Sequence, residues 1–303
     1  MKKILITGIT GFIGSHLAIA LERENFDVGG STNSIDKVNE KISLVDFSSE
    51  DNIATWINNH KPDVIVHTAA ITNVMHKDFS EIYRVNVIYT ENLLNAIVKT
   101  CPRNTNVIVV STAGVYGNNQ SDFIEEKSYP KPNNHYSYSK LIVENLCEHY
   151  RDILNINVIR PFNIIGKGQR ENFLIPKLVS YFANRVDNIP LGNIDAVRDY
   201  LSIDDCVRIL IRIISKNISL NGPVNICSGQ GYSARDAINL LESISGYKLS
   251  YYIAPEFVRK NEVWRLVGCS KKLSAIMGES GVVTSSFENT LSDIYHAYLN
   301  KVK

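Results

Sequence analysis

The chain has 303 residues, 44% of them apolar and 21% charged, with a formal net charge of +1. At about 150 residues per domain, this length gives one large or two modest domains with ample core. The near-neutral charge leaves no electrostatic footprint for nucleic acid or a membrane surface, so any basic patch must be local.

Five scattered cysteines, Cys101, Cys147, Cys206, Cys227 and Cys269, include no CxxC pair. That pattern speaks against both a disulfide framework and a zinc site, and it suits a reducing cytosol. The opening MKKILITGITGFIG is basic and then apolar, but its apolar run is short and broken by glycine. It reads as a first strand rather than a signal peptide. No stretch has the roughly 18 consecutive apolar residues of a membrane span, and the expected location is the cytoplasm.

Strands are predicted at Lys3–Thr7, Asp27–Ser31, Ile42–Asp46, Asp63–Thr68, Asn106–Ser111 and Asn157–Pro161. Amphipathic stretches lie between most of them, with Ile82, Val85, Tyr89 and Leu93 at helical spacing. Such alternation predicts an α/β fold, a doubly wound parallel sheet covered on both faces by helices. Beyond residue 160 the texture loosens, with Pro161, Gly166, Gly168, Pro176, Pro190 and Gly192. The expected division is a first domain at 1–165 and a smaller α/β lobe at 166–303, with residues 195–215 returning to the first. Ser233 with Asp236 and Ser285 with Glu288 read as capping boxes at two helix starts.

LITGITGFIGSHLA sets Gly8, Gly11 and Gly14, with Phe12 and Ile13 between the last two, after the first strand and at the opening of a helix. A pyrophosphate needs residues without Cβ there and free N–H groups at the helix N-terminus; the alternative is a plain glycine turn. An NAD site normally ends its second strand on an acid that binds the ribose 2′-hydroxyl. Gly30, Ser31, Thr32 and Asn33 stand there instead. NADP(H) is therefore favoured and NAD(H) allowed, with Ser31, Thr32 and Asn33 at the cofactor. After the third strand, Asp46 and Phe47 either contact adenine or cap a turn.

In VVSTAGVYGNN an apolar strand ends on Ser111 and Thr112 and is followed by Ala113 and Gly114. HYSYSK places Tyr136 and Lys140 four apart, on one face of a predicted helix. A nearby ammonium favours the phenolate, lowering a pKa that begins at about 10. This predicts a tyrosine trading protons near neutral pH, with Thr112 hydrogen-bonding the reacting oxygen.

GITGFIG, HTAA (His67–Ala70), STAGVYG, YSYSK and RPFNIIGKGQ (Arg160–Gln169), in order over nearly the whole chain, resemble the extended short-chain dehydrogenase/reductases acting on nucleotide sugars. The resemblance implies a Rossmann-type domain holding NAD(P), a lobe holding the sugar nucleotide, and hydride transfer at a sugar carbon, usually C4. It implies cofactor contacts at Ala69, Ala70, Asn86, Tyr136, Lys140, Pro161 and Ile164. Asn86 is otherwise a helix-surface amide, and His67 reads as structural. A homodimer through residues 83–100 and 136–150 is also implied.

LGNIDAVRDYLSIDDCVRIL, VNICSGQGYSARDAINLLESISG and VRKNEVWRLVGCSKKL are similar to the GDP-4-keto-6-deoxy-D-mannose reductases and GDP-mannose 4,6-dehydratases. By this resemblance Arg198 and Arg259 bind the substrate diphosphate, a role that suits forked donors. Further substrate contacts are implied at Thr112, Tyr136, Asn163, Phe173, Lys177, Asn193 and Glu262. Two departures stand out: the family's Arg-Pro reads Arg259-Lys260, and its Gly-Asp reads Gly268-Cys269.

The related dehydratases carry Asp-Glu after the threonine, and GDP-fucose synthases carry a cysteine there. Ala113 and Gly114 offer no acid, base or thiol, which leaves hydride transfer alone. The expected reaction is NAD(P)H-dependent reduction of the C4 ketone of an NDP-4-keto-6-deoxyhexose, GDP- or dTDP-linked, for surface polysaccharide synthesis. Tyr136 protonates O4, Lys140 holds the tyrosine's pKa down and Thr112 orients the carbonyl. The rivals are a UDP-hexose 4-epimerase that retains NAD and, from another class, a non-catalytic nucleotide-sensing protein.

Overall fold

The run KILIT is apolar and β-branched, and it forms β1 (Lys3–Thr7) near the middle of the largest sheet. In this computed structural model, which describes residues 1–103, 105–258, 262–278 and 284–302, the next elements are α1 (Phe12–Arg23), β2 (Asp27–Thr32), β3 (Ile42–Leu44), α2 (Glu50–His60) and β4 (Val64–His67). α3 (Phe79–Tyr83) runs through a π-helical turn at Arg84–Ile88 into α4 (Tyr89–Thr100), followed by β5 (Asn106–Val110), α5 (His135–His149) and β6 (Asn155–Pro161). Then come β7 (Asn163–Ile165), α6 (Leu174–Ala183), β8 (Ile189–Leu191), β9 (Val197–Ser202), α7 (Ile203–Ser215), β10 (Val224–Ile226) and β11 (Gly231–Tyr232). The chain closes with α8 (Ala234–Ser245), β12 (Tyr251–Ile253), β13 (Arg265–Leu266), α9 (Lys271–Met277) and α10 (Phe287–Val302).

Seven strands form one sheet in the order β10-β6-β5-β4-β1-β2-β3, and the pairings among β1 to β6 are parallel. This is a doubly wound order whose direction reverses between β1 and β4, the place at which sheets of this kind bind ligands beyond the strands' carboxyl ends. NVIVV of β5 is buried along its whole length, as a strand covered on both faces requires. Leu5, Ile65, Val107, Val109, Ile156 and Val158 pack in one core with Ile57 of α2, Leu93 of α4 and Val143 of α5. Among the described residues no helix is long and apolar enough to cross a membrane.

The chain folds as two units, one of residues 1–115, 132–160 and 207–224, the other of 116–131, 161–206 and 225–303. This corrects the expected division at 165 with a return at 195–215. β9 finds its partners in β7, β11 and β13, all within the second unit. The returning segment is 207–224, where Leu220 N donates to the buried Asn157 side chain and Ile214 O accepts from Lys2. In the second unit, α6, α8 and α10 share a core that includes Leu178, Phe182, Ile238, Leu241 and Leu291.

The capping box at Ser233 and Asp236 is present. The one expected at Ser285 and Glu288 is not: α10 begins at Phe287, and Ser286 Oγ accepts from Asn289 N at 3.1 Å. Ser285 instead donates its N–H to the buried carboxylate of Asp205 at 2.7 Å.

Candidate active site

β5 ends at Val110, and the chain turns through Ser111 and Thr112 into a short 3-10 helix at Ala113–Tyr116. Asn134 starts α5 by accepting a hydrogen bond from Ser137 N at 2.9 Å, which sets Tyr136 and Lys140 in the first turns. The Thr112 hydroxyl lies beside the Tyr136 phenol. Burial pushes Tyr136 up to about 12, and the neighbouring Thr112 hydroxyl pulls it the other way. Burial likewise pushes the Lys140 ammonium down to about 8, against the upward pull of Cys147 and Glu144, and its Nζ donates to Val110 O at 2.8 Å.

These facts correct the expectation that Lys140 lowers the tyrosine. The ammonium is turned to a backbone carbonyl, and desolvation sets the phenol high. Tyr136 therefore carries its proton throughout the neutral range, the form that donates.

Asn86 is buried rather than a surface amide. Its Oδ1 accepts from Ile71 N at 2.8 Å, and its Nδ2 donates to Ile71 O and Ser139 Oγ, each at 3.0 Å. The Ala69–Ala70 loop is thereby tied to α5. His67 is a buried strand-end residue between Thr7 and Thr90. Sequence reasoning gave no role to Ser111 and Glu144; the signal lay in an acid placed within the buried stripe of Lys140, Val143 and Cys147 on α5.

The glycine turn fits a dinucleotide. Gly8 has φ +68, a left-handed conformation that glycine adopts freely, and a Cβ there would lie 2.9 Å from Ala69 Cα. A Cβ on Gly14 would lie 2.3 Å from Gly8 O. Gly11 caps α1 without a side-chain bond, so the first-turn N–H groups around Phe12 and Ile13 suit a pyrophosphate. At the end of β2, Ser31 Oγ is buried with no hydrogen-bond partner among the described residues, an orphan that a bound polar group would satisfy.

Thr32 Oγ1 is engaged with Thr10 Oγ1 and Ser34 N, while Asn33 is exposed. Asp46 closes a turn: its carboxylate accepts from Ser48 Oγ and N, which hold it below the usual carboxylate range. Phe47 packs edge-on to Trp56.

In the second unit, Arg198 Nη2 donates to Glu262 Oε1 at 2.7 Å and Asn193 Nδ2 to Glu262 Oε2 at 2.9 Å. Three of the expected substrate residues thus meet at one carboxylate. The neighbouring Asp199 is fully buried and accepts from Ser228 N and Oγ, Gly229 N and Gly268 N, which pins the strand that carries Arg198. Asn163 Nδ2 donates to Asp199 O at 3.1 Å.

Lys177 Nζ lies 4.9 Å from the centre of the Phe257 ring and 5.5 Å from that of Tyr181, within cation–π range of both. Gly192 is packed against Phe257 O, so the Asn193 loop and the ring under Lys177 are neighbours. Phe173 is exposed at the start of α6, Pro161 is buried at the end of β6, and Ile164 is a buried residue in register with Leu201. Arg259 lies outside the described residues.

A doubly wound sheet with a glycine turn after β1 and a Thr-Tyr-Lys set around β5 and α5 defines a short-chain dehydrogenase/reductase. Residues 4–227 match the NAD dependent epimerase/dehydratase family, and the chain belongs to it, among the extended short-chain dehydrogenase/reductases that modify nucleotide sugars. It is 41% identical over 284 residues to GDP-6-deoxy-D-talose 4-dehydrogenase of Aggregatibacter actinomycetemcomitans, which covers 93% of this chain and 94% of that relative. It is 28% identical over 305 residues to GDP-6-deoxy-D-mannose reductase of Pseudomonas aeruginosa, covering 96% and 97%. Among solved structures, RMD from Pseudomonas aeruginosa complexed with NADPH matches with a TM-score of 0.86 at 25% identity, over 99% of this chain and 100% of that one.

Proposed function

We propose that this protein reduces the C4 ketone of a GDP-4-keto-6-deoxyhexose with a nicotinamide cofactor, NADP(H) being favoured. The observation that carries the reading is the Thr112 hydroxyl beside the Tyr136 phenol, followed in the chain by Ala113 and Gly114. Ser137 Oγ lies 2.5 Å from where a Cβ on Gly114 would be, so the space in which relatives of the chain carry an acid or a thiol is filled by a hydroxyl. Elimination and carbon-acid epimerisation both need an ionisable group there. Hydride transfer does not.

When bound, the cofactor supplies hydride to the sugar carbon. Gly8, Gly11, Phe12, Ile13 and Gly14 would hold its pyrophosphate, and Ser31, Thr32 and Asn33 its ribose; the lack of an acid at the end of β2 leaves room for a 2′-phosphate. Thr112 orients the carbonyl oxygen and Tyr136 gives it a proton. The alkoxide formed at C4 is a much stronger base than a phenolate, so a phenol held at about 12 donates downhill.

On the substrate side we assign the diphosphate to Arg198, with Asn163, Phe173, Lys177, Asn193 and Glu262 around it. The two relatives' names describe GDP-linked 6-deoxyhexoses of opposite configuration at C4, and the higher identity favours the talo product. GDP is the expected nucleotide and dTDP the second.

The test is NADPH oxidation against GDP-, dTDP-, UDP- and CDP-4-keto-6-deoxy sugars, with NMR of the product. Tightly held NAD together with UDP-hexose interconversion would replace this reading with an epimerase. Tyr136→Phe should cut kcat by about 100-fold or more while cofactor affinity holds. A cellular phenotype fully retained in that variant would indicate a sensing role.

We also propose a homodimer formed through α4 and α5. Ile88, Tyr138 and Ile142 are 48%, 48% and 39% exposed, an apolar strip on the helices expected to pair. Sedimentation should give twice the chain mass, and Ile142→Glu should give the monomer.

A further inference from the structure

Ser111, Glu144 and Arg160 take no part in the proposed reaction, yet they are only 2%, 7% and 4% exposed. Ser111 Oγ donates to Glu144 Oε1 at 2.5 Å. Arg160 grips the same carboxylate through Nε and Nη2, the latter 2.6 Å from Oε2. One helical turn earlier on α5, Lys140 Nζ donates to Val110 O.

Two consecutive residues at the end of β5 are therefore each bonded to one of two residues four apart on α5. The adjacent strand β6 is tied to the same carboxylate through Arg160, and Ser111 N also donates to Ile159 O at 2.8 Å. The next residue after this double attachment is Thr112, and the helix that makes it begins with Tyr136. A hydroxyl buried at position 111 is costly unless it is bonded, and it bonds to Glu144.

We propose that Ser111, Glu144 and Arg160 are positioning residues, a clasp that fixes the end of β5 to α5 and so sets the Thr112 hydroxyl beside the Tyr136 phenol. The inference rests on the reading of Thr112 and Tyr136 as the reacting pair. Misplacement of a reacting group by about 1 Å can cost about 100-fold in rate, so a clasp of this kind acts on kcat without touching substrate.

Glu144→Gln would leave the Arg160 charge buried without its counterion and can prevent folding, so Ser111 carries the test, in the full-length protein. Ser111→Ala should lower kcat about tenfold, with KM and the dissociation constant of NADPH within about twofold of wild type, and Ser111→Thr, which keeps the hydroxyl, should recover kcat to within about threefold.

Amide hydrogen exchange without ligand gives a second readout. In Ser111→Ala, residues 112–116 should exchange about tenfold faster while β1 and α1 are unchanged. Wild-type kcat and exchange in Ser111→Ala would overturn the proposal, as would a loss spread equally over kcat, KM and cofactor affinity with no recovery in Ser111→Thr. If the wild type reduces none of the 4-keto sugars, the assigned reaction fails, and the exchange of residues 112–116 then decides the clasp alone.

Discussion

Thr90 Oγ1 donates to Asn86 O at 2.6 Å, so it accepts from His67 Nε2–H at 2.9 Å, and His67 Nδ1 accepts from Thr7 Oγ1 at 2.8 Å. This fixes a neutral tautomer, and burial followed by the charge of Lys140 pushes the imidazole down to about 3 from 6.5. The unfolded chain takes up a proton that the folded chain refuses, so this contribution to stability is full above 6.5 and is lost as pH falls toward 3. His67→Gln keeps a donor and an acceptor but does not titrate. Its melting temperature should fall less steeply over that range, and parallel curves would refute the assignment.

Lys140 behaves in the same sense in a more alkaline window. Its folded value of about 8 lies below the ordinary 10.5, so its contribution to stability rises with pH between the two. The pairing of Tyr136 with Lys140 on one helix face was legible from their spacing. The sense of the tyrosine's shift was not, because desolvation is set by residues from distant parts of the chain.

Among the elements, the two serine-capped helices make a matched pair. Ser233→Ala removes a reciprocal capping box and should cost about 1 kcal/mol in denaturant unfolding. Ser286→Ala should cost about the same, whereas Ser285→Ala should cost less, because the backbone N–H of Ser285 meets Asp205 at 2.7 Å while its Oγ reaches that carboxylate only at 3.5 Å. The S-S-F-E stretch holds two hydroxyls side by side, and a one-residue shift in the helix start decides which of them caps. The run Ile82, Val85, Tyr89, Leu93 was similarly half-legible. Ile82 and Leu93 are buried, but the π turn between them changes the phase and turns Asn86, Val87 and Thr90 inward. A 3.6-residue period has no place for such a turn. β1 has the bounds the sequence predicted, β2 to β6 have ends moved by one or two residues, and β10 was not predicted.

For the whole molecule, the motif order and the strand–helix alternation were readable because each is local. The return of a later segment was readable only in outline, expected at 195–215 and found at 207–224, since Asn157 and Leu220, which fix it, lie 63 residues apart in the chain. Asn157 is fully buried, donating to Asn106 Oδ1 at 2.8 Å and accepting from Leu220 N at 2.5 Å. A fragment of residues 1–165 should accordingly lack cooperative unfolding and near-ultraviolet circular dichroism, because it takes Leu220 N away from the buried Asn157 Oδ1 and loses the apolar cover of Ile213, Ile214 and Val224. Cooperative unfolding of that fragment at the stability of the intact chain would contradict this. The same discontinuity bears on synthesis. On a ribosome, the glycine turn and α5 of the first unit emerge long before its last segment, so its apolar sheet edge stays unfinished until residue 224 has been made.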